Sequence, residues 1–257
     1  MRHSPKNKMI KSLILYFQFF TRLPIPIPIE DAENRFKKGI LWFSMFGLAI
    51  GLIEATILWI IYWLLNSFLL AWISVLLFDV LLTGAFHMDA LADMCDGLFS
   101  SRKKERMLEI MKDSRVGSNG VLALIFYYLL LIAPIAVYLT ELDVAYLMRL
   151  IVALQIVGKS GIALLFWKMK YAGHTEGLGR LFLNVETWRI IFTEMICFVA
   201  LFSLLGWSAC LAYLVVVFIH FGYRRLVYKK IDGMNGDTLG AFYCIAQVIF
   251  LLVMLRR

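Results

Sequence analysis

The chain has 257 residues, is 61% hydrophobic and carries charge on only 17% of its positions, with a net charge of +8. Ordinary globular domains are charged at about a quarter of their residues. A soluble domain is therefore excluded, and a polytopic membrane protein is indicated. The basic excess is explained by membrane topology and lipid contact, with no nucleic-acid partner needed.

The first apolar run, Met9–Phe20, is short and is followed by Thr21-Arg22-Leu23-Pro24-Ile25-Pro26-Ile27-Pro28. Alternating prolines cannot continue a helix. The run at 9–20 thus predicts an interfacial or re-entrant helix rather than a crossing. No small-residue cleavage site precedes the prolines, which argues against a signal peptide. Seven later stretches approach the roughly 20 apolar residues that a bilayer crossing needs. They run over 39–65, 68–86, 120–140, 144–167, 188–205, 207–222 and 239–255. The expected fold is all-α, one membrane catalytic domain over 1–257, a helical bundle with about seven transmembrane helices plus the N-terminal helix.

Lysine and arginine set the orientation. Of 26, all but four lie before Gly39, between His87 and Asn119, between Lys168 and Arg189, or among Arg224, Arg225, Lys229 and Lys230. The alternate loops near Asn66, Glu141 and Gly206 hold none. The positive-inside rule places the N-terminus and the segments 87–119, 168–187 and 223–238 in the cytosol, on a multi-pass protein of the cell inner membrane. Only Arg256 and Arg257 dissent. Cys95, Cys197, Cys210 and Cys244 form no C-x-x-C pair and read as small hydrophobes.

Between the second and third stretches the chain changes character. Asp89, Asp93 and Asp96 are spaced four and three apart, so a helix projects them from one stripe. Glu105, Glu109 and Asp113 repeat every four residues and do the same. Like charges on one helix face repel, and a cation between the stripes removes that penalty. Oxygen-only ligands point to Mg²⁺ or Mn²⁺. The competing reading is a solvated, charge-mixed linker, strongest for Glu105 and its basic neighbours. The segment closes on Asp113-Ser114-Arg115-Val116-Gly117-Ser118-Asn119-Gly120, where glycines let backbone N–H groups approach an anion and Arg115 can clamp one. A helix start capped by Ser118 or Asn119 explains the same residues.

Two further loops are polar. Tyr171–Arg180, with His174, reads equally as a substrate edge or as a turn-rich connection. In Lys229–Gly240, Asn235 and Asp237 sit among glycines just before the last stretch, either reaching a phosphate or metal region or, for Asp237, capping the final helix. Glu54, Asp79, Arg149, Lys159 and Glu194 fall inside apolar stretches, where charge is costly unless paired or functional.

These motifs together resemble the cobalamin synthase family, the adenosylcobinamide-GDP ribazoletransferases. The resemblance is carried by Gly84-x-x-His87-x-Asp89-x-x-Ala92-Asp93-x-x-Asp96-Gly97, by Glu105–Gly120, by Thr21-Arg22-Leu23-Pro24 and by Gly236-Asp237-x-x-Gly240. It spans nearly the whole chain. Departures are Lys159 for the usual Arg, Asn235 for Thr, and Asp232 and Ala90 for Gly. Lys for Arg weakens a bidentate phosphate clamp. The resemblance implies an enzyme of the last steps of vitamin B12 assembly. It would join adenosylcobinamide-GDP to α-ribazole or its 5′-phosphate, with Mg²⁺ and release of GMP. Asp93-x-x-Asp96-Gly97 with Glu109-x-x-x-Asp113 is also similar in part to the pattern of CDP-alcohol phosphotransferases, which implies a shared mechanism.

On this reading Asp89, Asp93, Asp96 and Glu109 are metal ligands. Asp113 is the general base, with His87 in reserve. Arg102, Arg115, Lys159, Asn235 and Asp237 bind substrate. The lipid bilayer is the surrounding partner, and a homo-oligomer is compatible. A cation-coupled transporter, or a CDP-alcohol phosphotransferase-like enzyme of another substrate, is the alternative; a membrane scaffold leaves the acidic stripes unexplained.

Overall fold

The computed structural model describes residues 5–173 and 178–256. Eleven helices carry the architecture among these residues. They are α1 (Pro5–Phe20), α2 (Ala32–Gly39), α3 (Phe43–Leu65), α4 (Phe68–Thr83), α5 (Phe86–Ser100), α6 (Lys104–Ile110), α7 (Ser118–Val137), α8 (Val144–Leu165), α9 (Thr187–Leu205), α10 (Trp207–Ile231) and α11 (Gly236–Met254). Short 3₁₀ turns cover Ile40–Trp42, Leu139–Glu141 and Leu178–Phe182. Six helical stretches among the described residues are long and apolar enough to cross a bilayer, and α4 with α5 passes the same test only as a pair bent by 87°, which brings the number to seven if the pair is one span. The apolar residues that lack a protein neighbour, such as Trp63, Phe126 and Phe218, face outward, as lipid contact requires.

Helix α8 occupies the centre and is buried along nearly its whole length, from Leu150 through Ala163. Small residues let its neighbours close on it, which is how helices pack where lipid supplies no hydrophobic drive. A Cβ at Gly47 of α3 would stand 2.7 Å from the Gln155 carbonyl oxygen, and one at Gly51 2.7 Å from the Val152 Cα. Gly158 of α8 lies flat against the Tyr243 ring of α11. We expect Gly158→Ala to push that ring aside at a cost of about 1–3 kcal/mol, read as a lower melting temperature in detergent. An unchanged melt would contradict the α8–α11 contact. All four cysteines are free and buried, as their spacing predicts.

Two boundaries differ from expectation. The second crossing stops at Thr83 rather than 86, and the acidic segment that follows is helical, as its carboxylate spacing implied. Gly84 and Ala85 both take left-handed backbone, with φ of 65° and 60°, and α5 leaves at 87° to α4. The corner holds the Thr21-Arg22-Leu23-Pro24 motif. The Arg22 backbone N–H donates to the Leu82 carbonyl at 2.7 Å, and its guanidinium occupies the space that a Cβ at Gly84 would need. We read α5 and α6 as outside the crossings, α5 laid across the end of α7 and α11. The second difference is α10, which continues as helix to Ile231 where a loop from 223 was expected. Nothing breaks it until Asp232, at φ 61°, and its basic residues tie it down: Arg224 donates to the Lys168 carbonyl at 2.8 Å, and Lys230 to that of Leu98 at 2.5 Å.

Candidate active site

The three polar segments meet at one end of the bundle. Tyr171 and Met234 form an isolated parallel bridge, with the Ala172 N–H donating to the Met234 carbonyl and the Met234 N–H to that of Lys170, both at 2.8 Å. Gly233 permits this, since a Cβ there would stand 2.7 Å from the Lys170 oxygen. On the other side Lys104 of α6 pairs with Asp232 at 2.6 Å. Between these ties lies a cleft of about 570 Å³. Asp89, Glu105, Glu109, Lys104, Lys112 and Asp237 line it, together with Tyr171–Gly173, Asn235 and apolar residues of α5 and α6.

Helix α11 begins with a reciprocal cap. Asn235 Oδ1 accepts from the Thr238 N–H, and Thr238 Oγ1 accepts from the Asn235 N–H, both at 2.9 Å. Asn235, not Asp237, is therefore the cap, and Asp237 is left to face the cleft. The Asn235 amide also donates to Asp237 Oδ2 at 3.0 Å, so Asn235 serves chiefly to position its neighbour. Asp237 feels the fields of Asp93 and Asp89, so the last helix and the first acidic stripe share one electrostatic site.

The acids divide into distinct roles. Asp89 is exposed and Asp93 half-buried. Burial, then the charges of Asp89 and Asp96, push Asp93 up to about 6. Asp96 is buried and already engaged: its Oδ2 accepts from the Gly117 N–H at 2.7 Å and its Oδ1 from the Gly120 N–H at 2.9 Å. It thus holds the start of α7, where Ser118 or Asn119 was expected to cap. The anion that Gly117 and Gly120 receive is Asp96 of the chain itself. Glu109 pairs with Arg106 at 3.0 Å.

Several expected site residues lie elsewhere. Asp113 is paired with Arg115 at 2.8 Å, and neither lines the cleft. The hydrogen bonds from Arg115 hold the Asp113 carboxyl down at about 2. Arg102 is exposed on the turn after α5, outside the cleft. Lys159 is wholly enclosed, its Nζ 2.6 Å from His87 Nε2 and over the Phe20, Phe46 and Tyr243 rings. His87 is buried as well. His174 lies outside the described residues. Lys104 and Lys112, which no motif singled out, line the cleft, and so does Tyr171 at the head of the loop that read equally as a substrate edge or a connection. Only the spacing of Glu105 and Glu109 hinted that α6 turns this face inward.

Deeper in the bundle, Gln155 Nε2 donates to both Glu54 oxygens at 2.8 Å, and the Tyr243 hydroxyl donates to Gln155 Oε1. Gln155 was not singled out in the sequence, since a lone amide in an apolar run carries no periodic signal.

Among the described residues no three His, Cys, Asp or Glu side chains already converge closely enough to hold a metal. The chemistry of the cleft still fits a hard divalent cation. Its donors are carboxylate oxygens, and Asp93, just behind the lining, is raised first by burial and then by the charges of Asp89 and Asp96, a repulsion that a cation would relieve. Asp89 and Asp93, one helical turn apart on α5, are the acids that would hold it, with Glu109 if it releases Arg106.

The model of the cobalamin-5-phosphate synthase family matches residues 12–255. The adenosylcobinamide-GDP ribazoletransferase of Listeria monocytogenes serotype 4a is 46% identical over 251 residues, which cover 96% of this chain and 98% of that protein. The enzyme of the same name from Clostridium novyi is 43% identical over 251 residues, 96% of this chain and 97% of its own. That from Klebsiella pneumoniae is 35% identical over 250 residues, 96% and 100%. No solved structure matches the chain. A family match over nearly the full length, on a bundle of apolar helices, makes this chain a membrane-spanning transferase of cobalamin synthesis, a member of the cobalamin-5-phosphate synthase family.

Proposed function

We propose that the acidic cleft joins adenosylcobinamide-GDP to α-ribazole or its 5′-phosphate, releases GMP and depends on Mg²⁺. The observation that carries this reading is the gathering of four carboxylates and two lysines from separate segments into one cleft. The relatives named for this reaction, similar over 96% of the chain, support it.

A ribose hydroxyl oxygen of the acceptor attacks the cobinamide-linked phosphorus. A new O–P bond forms, the bond from that phosphorus to the bridging oxygen breaks, and GMP departs with the bridging oxygen. The hydroxyl proton passes to Asp237, which faces the cleft beside Asn235. Lys112 on the cleft wall attracts the diphosphate. Asp89 and Asp93 would hold the cation, which when bound neutralises charge on the diphosphate and the leaving group. We place the cleft on the cytosolic side of the inner membrane because the basic segments border it.

The test is GMP release from adenosylcobinamide-GDP, expected only when Mg²⁺ and ribazole are both present; release without ribazole would overturn the reading. An anionic diphosphate has to enter an acidic cleft, so a cation must first screen that field. Mg²⁺ should therefore tighten adenosylcobinamide-GDP binding in detergent by at least about tenfold, or 1.4 kcal/mol. Equal affinity in EDTA removes the metal assignment.

A further inference from the structure

We propose that a small aromatic pocket beside the cleft receives the nitrogen-bearing edge of the acceptor's heteroaromatic base, with His87 donating a hydrogen bond to a ring nitrogen. The proposal rests on the reading that the acceptor is a ribazole, a ribosylated benzimidazole.

The pocket is lined by Phe19, Phe20, Phe86, Phe166 and Phe182, with His87 among them. Phe86 and Gly236 line both this pocket and the acidic cleft, so the two adjoin. Its free space, about 40 Å³, takes the edge of a ring. The rest of a bicyclic base then lies over Phe86 in the larger cleft, which places its ribose toward Asp237.

Aromatic walls alone favour any flat apolar group. His87 adds specificity. It is 1% exposed, and its Nδ1 is a buried polar atom with no hydrogen-bond partner. Its other nitrogen, Nε2, lies 2.6 Å from Lys159 Nζ. Lys159 Nζ stands over the Phe20, Phe46 and Tyr243 rings, 5.0, 5.3 and 4.5 Å from their centroids, the placement an ammonium takes over aromatic faces. An ammonium has three donors and no acceptor. Nε2 must then accept, and the ring proton resides on Nδ1. The tautomer follows from that pairing, as the partner at one imidazole nitrogen decides the state of the other. Nδ1–H is thus a donor held ready in an otherwise apolar pocket. Gly240 lets α11 close on α5, where a Cβ would stand 2.5 Å from that of Ala90 and 3.6 Å from Nδ1, so Nδ1 meets no side chain from that position. Lys159 is a positioning residue on this account, which gives it a purpose away from the phosphates.

The matching ligand is a flat ring with an acceptor nitrogen that is not the glycosylated one. A site built to hydrogen-bond such a group discriminates strongly against an analogue that lacks it, because the buried donor is left unpaired. The experiment compares benzimidazole riboside with indole riboside, of the same shape but with C–H in place of the acceptor nitrogen. Binding to the detergent-solubilised full chain is measured by calorimetry, and GMP release is followed in parallel. Wild type should bind and use the benzimidazole riboside at least about a hundredfold better. In H87F the preference should fall to within a few-fold, through the acceptor KM, with the KM for adenosylcobinamide-GDP unchanged. Equal binding of the two ribosides by wild type overturns the proposal, and that comparison needs no variant to fold. A folded H87F that keeps the preference overturns it as well. Absence of GMP release with either riboside, while adenosylcobinamide-GDP binds, instead overturns the reaction itself.

Discussion

Asp237→Asn should reduce GMP release by at least about 10²–10³-fold while the protein stays folded, the scale seen when one preorganised electrostatic group is removed from a reaction centre. The change is isosteric. The Asn235 amide can still donate to an oxygen at position 237, and the cap between Asn235 and Thr238 does not involve the residue. The charge at the start of α11 is lost, at about 0.3–1 kcal/mol through the helix dipole, too little to unfold a bundle of this size. What disappears is the carboxylate that shares the cleft lining with Asp89 and lies within the field of Asp93. The measurement is single-turnover GMP release with saturating Mg²⁺, beside a melting curve. Release within a few-fold of wild type would move the chemistry out of this cleft.

Asp96→Ala should instead show itself in stability. The carboxylate accepts from two backbone N–H groups, those of Gly117 and Gly120, and is itself buried. Alanine orphans both donors. An unsatisfied buried polar group costs about 1–3 kcal/mol, so the sum is about 2–6 kcal/mol. Asp96→Asn keeps one acceptor and should lose less. Gly117→Ala approaches the same junction from the other side, because a Cβ there would stand 2.5 Å from Asp96 Oδ1. Thermal unfolding in detergent reads all three. A melt of Asp96→Ala equal to wild type, with only activity lost, would return Asp96 to the metal site and take it from the start of α7.

The crossings, the helical class and the charged face were all legible in the chain, because each rests on local composition. A stretch such as 144–167 is apolar whatever surrounds it, and lysine and arginine gather where water is available. The stripe at Asp89, Asp93 and Asp96 was legible for the same reason, since helical spacing alone sets it. The pairing of Asp113 was not legible, because spacing says which acids share a helix face but not which neighbour reaches them first. Arg115, two residues on, takes Asp113 in a local pair.

Sequence alone therefore determined that this is a polytopic helical protein with an acidic segment, and the ordered motifs carried the family. Partnership between distant segments was decided only by the tertiary structure. The corner at Gly84 and Ala85 turns α5 across the bundle, and that turn converts one stripe of three acids into two roles. Asp96 points to α7, while Asp89 and Asp93 look toward Asp237, well over a hundred residues later in the chain. Lys159 likewise sits in a motif-like run of small residues. Only packing shows that its reach is spent on His87, because a side chain's partner depends on which helix closes over it.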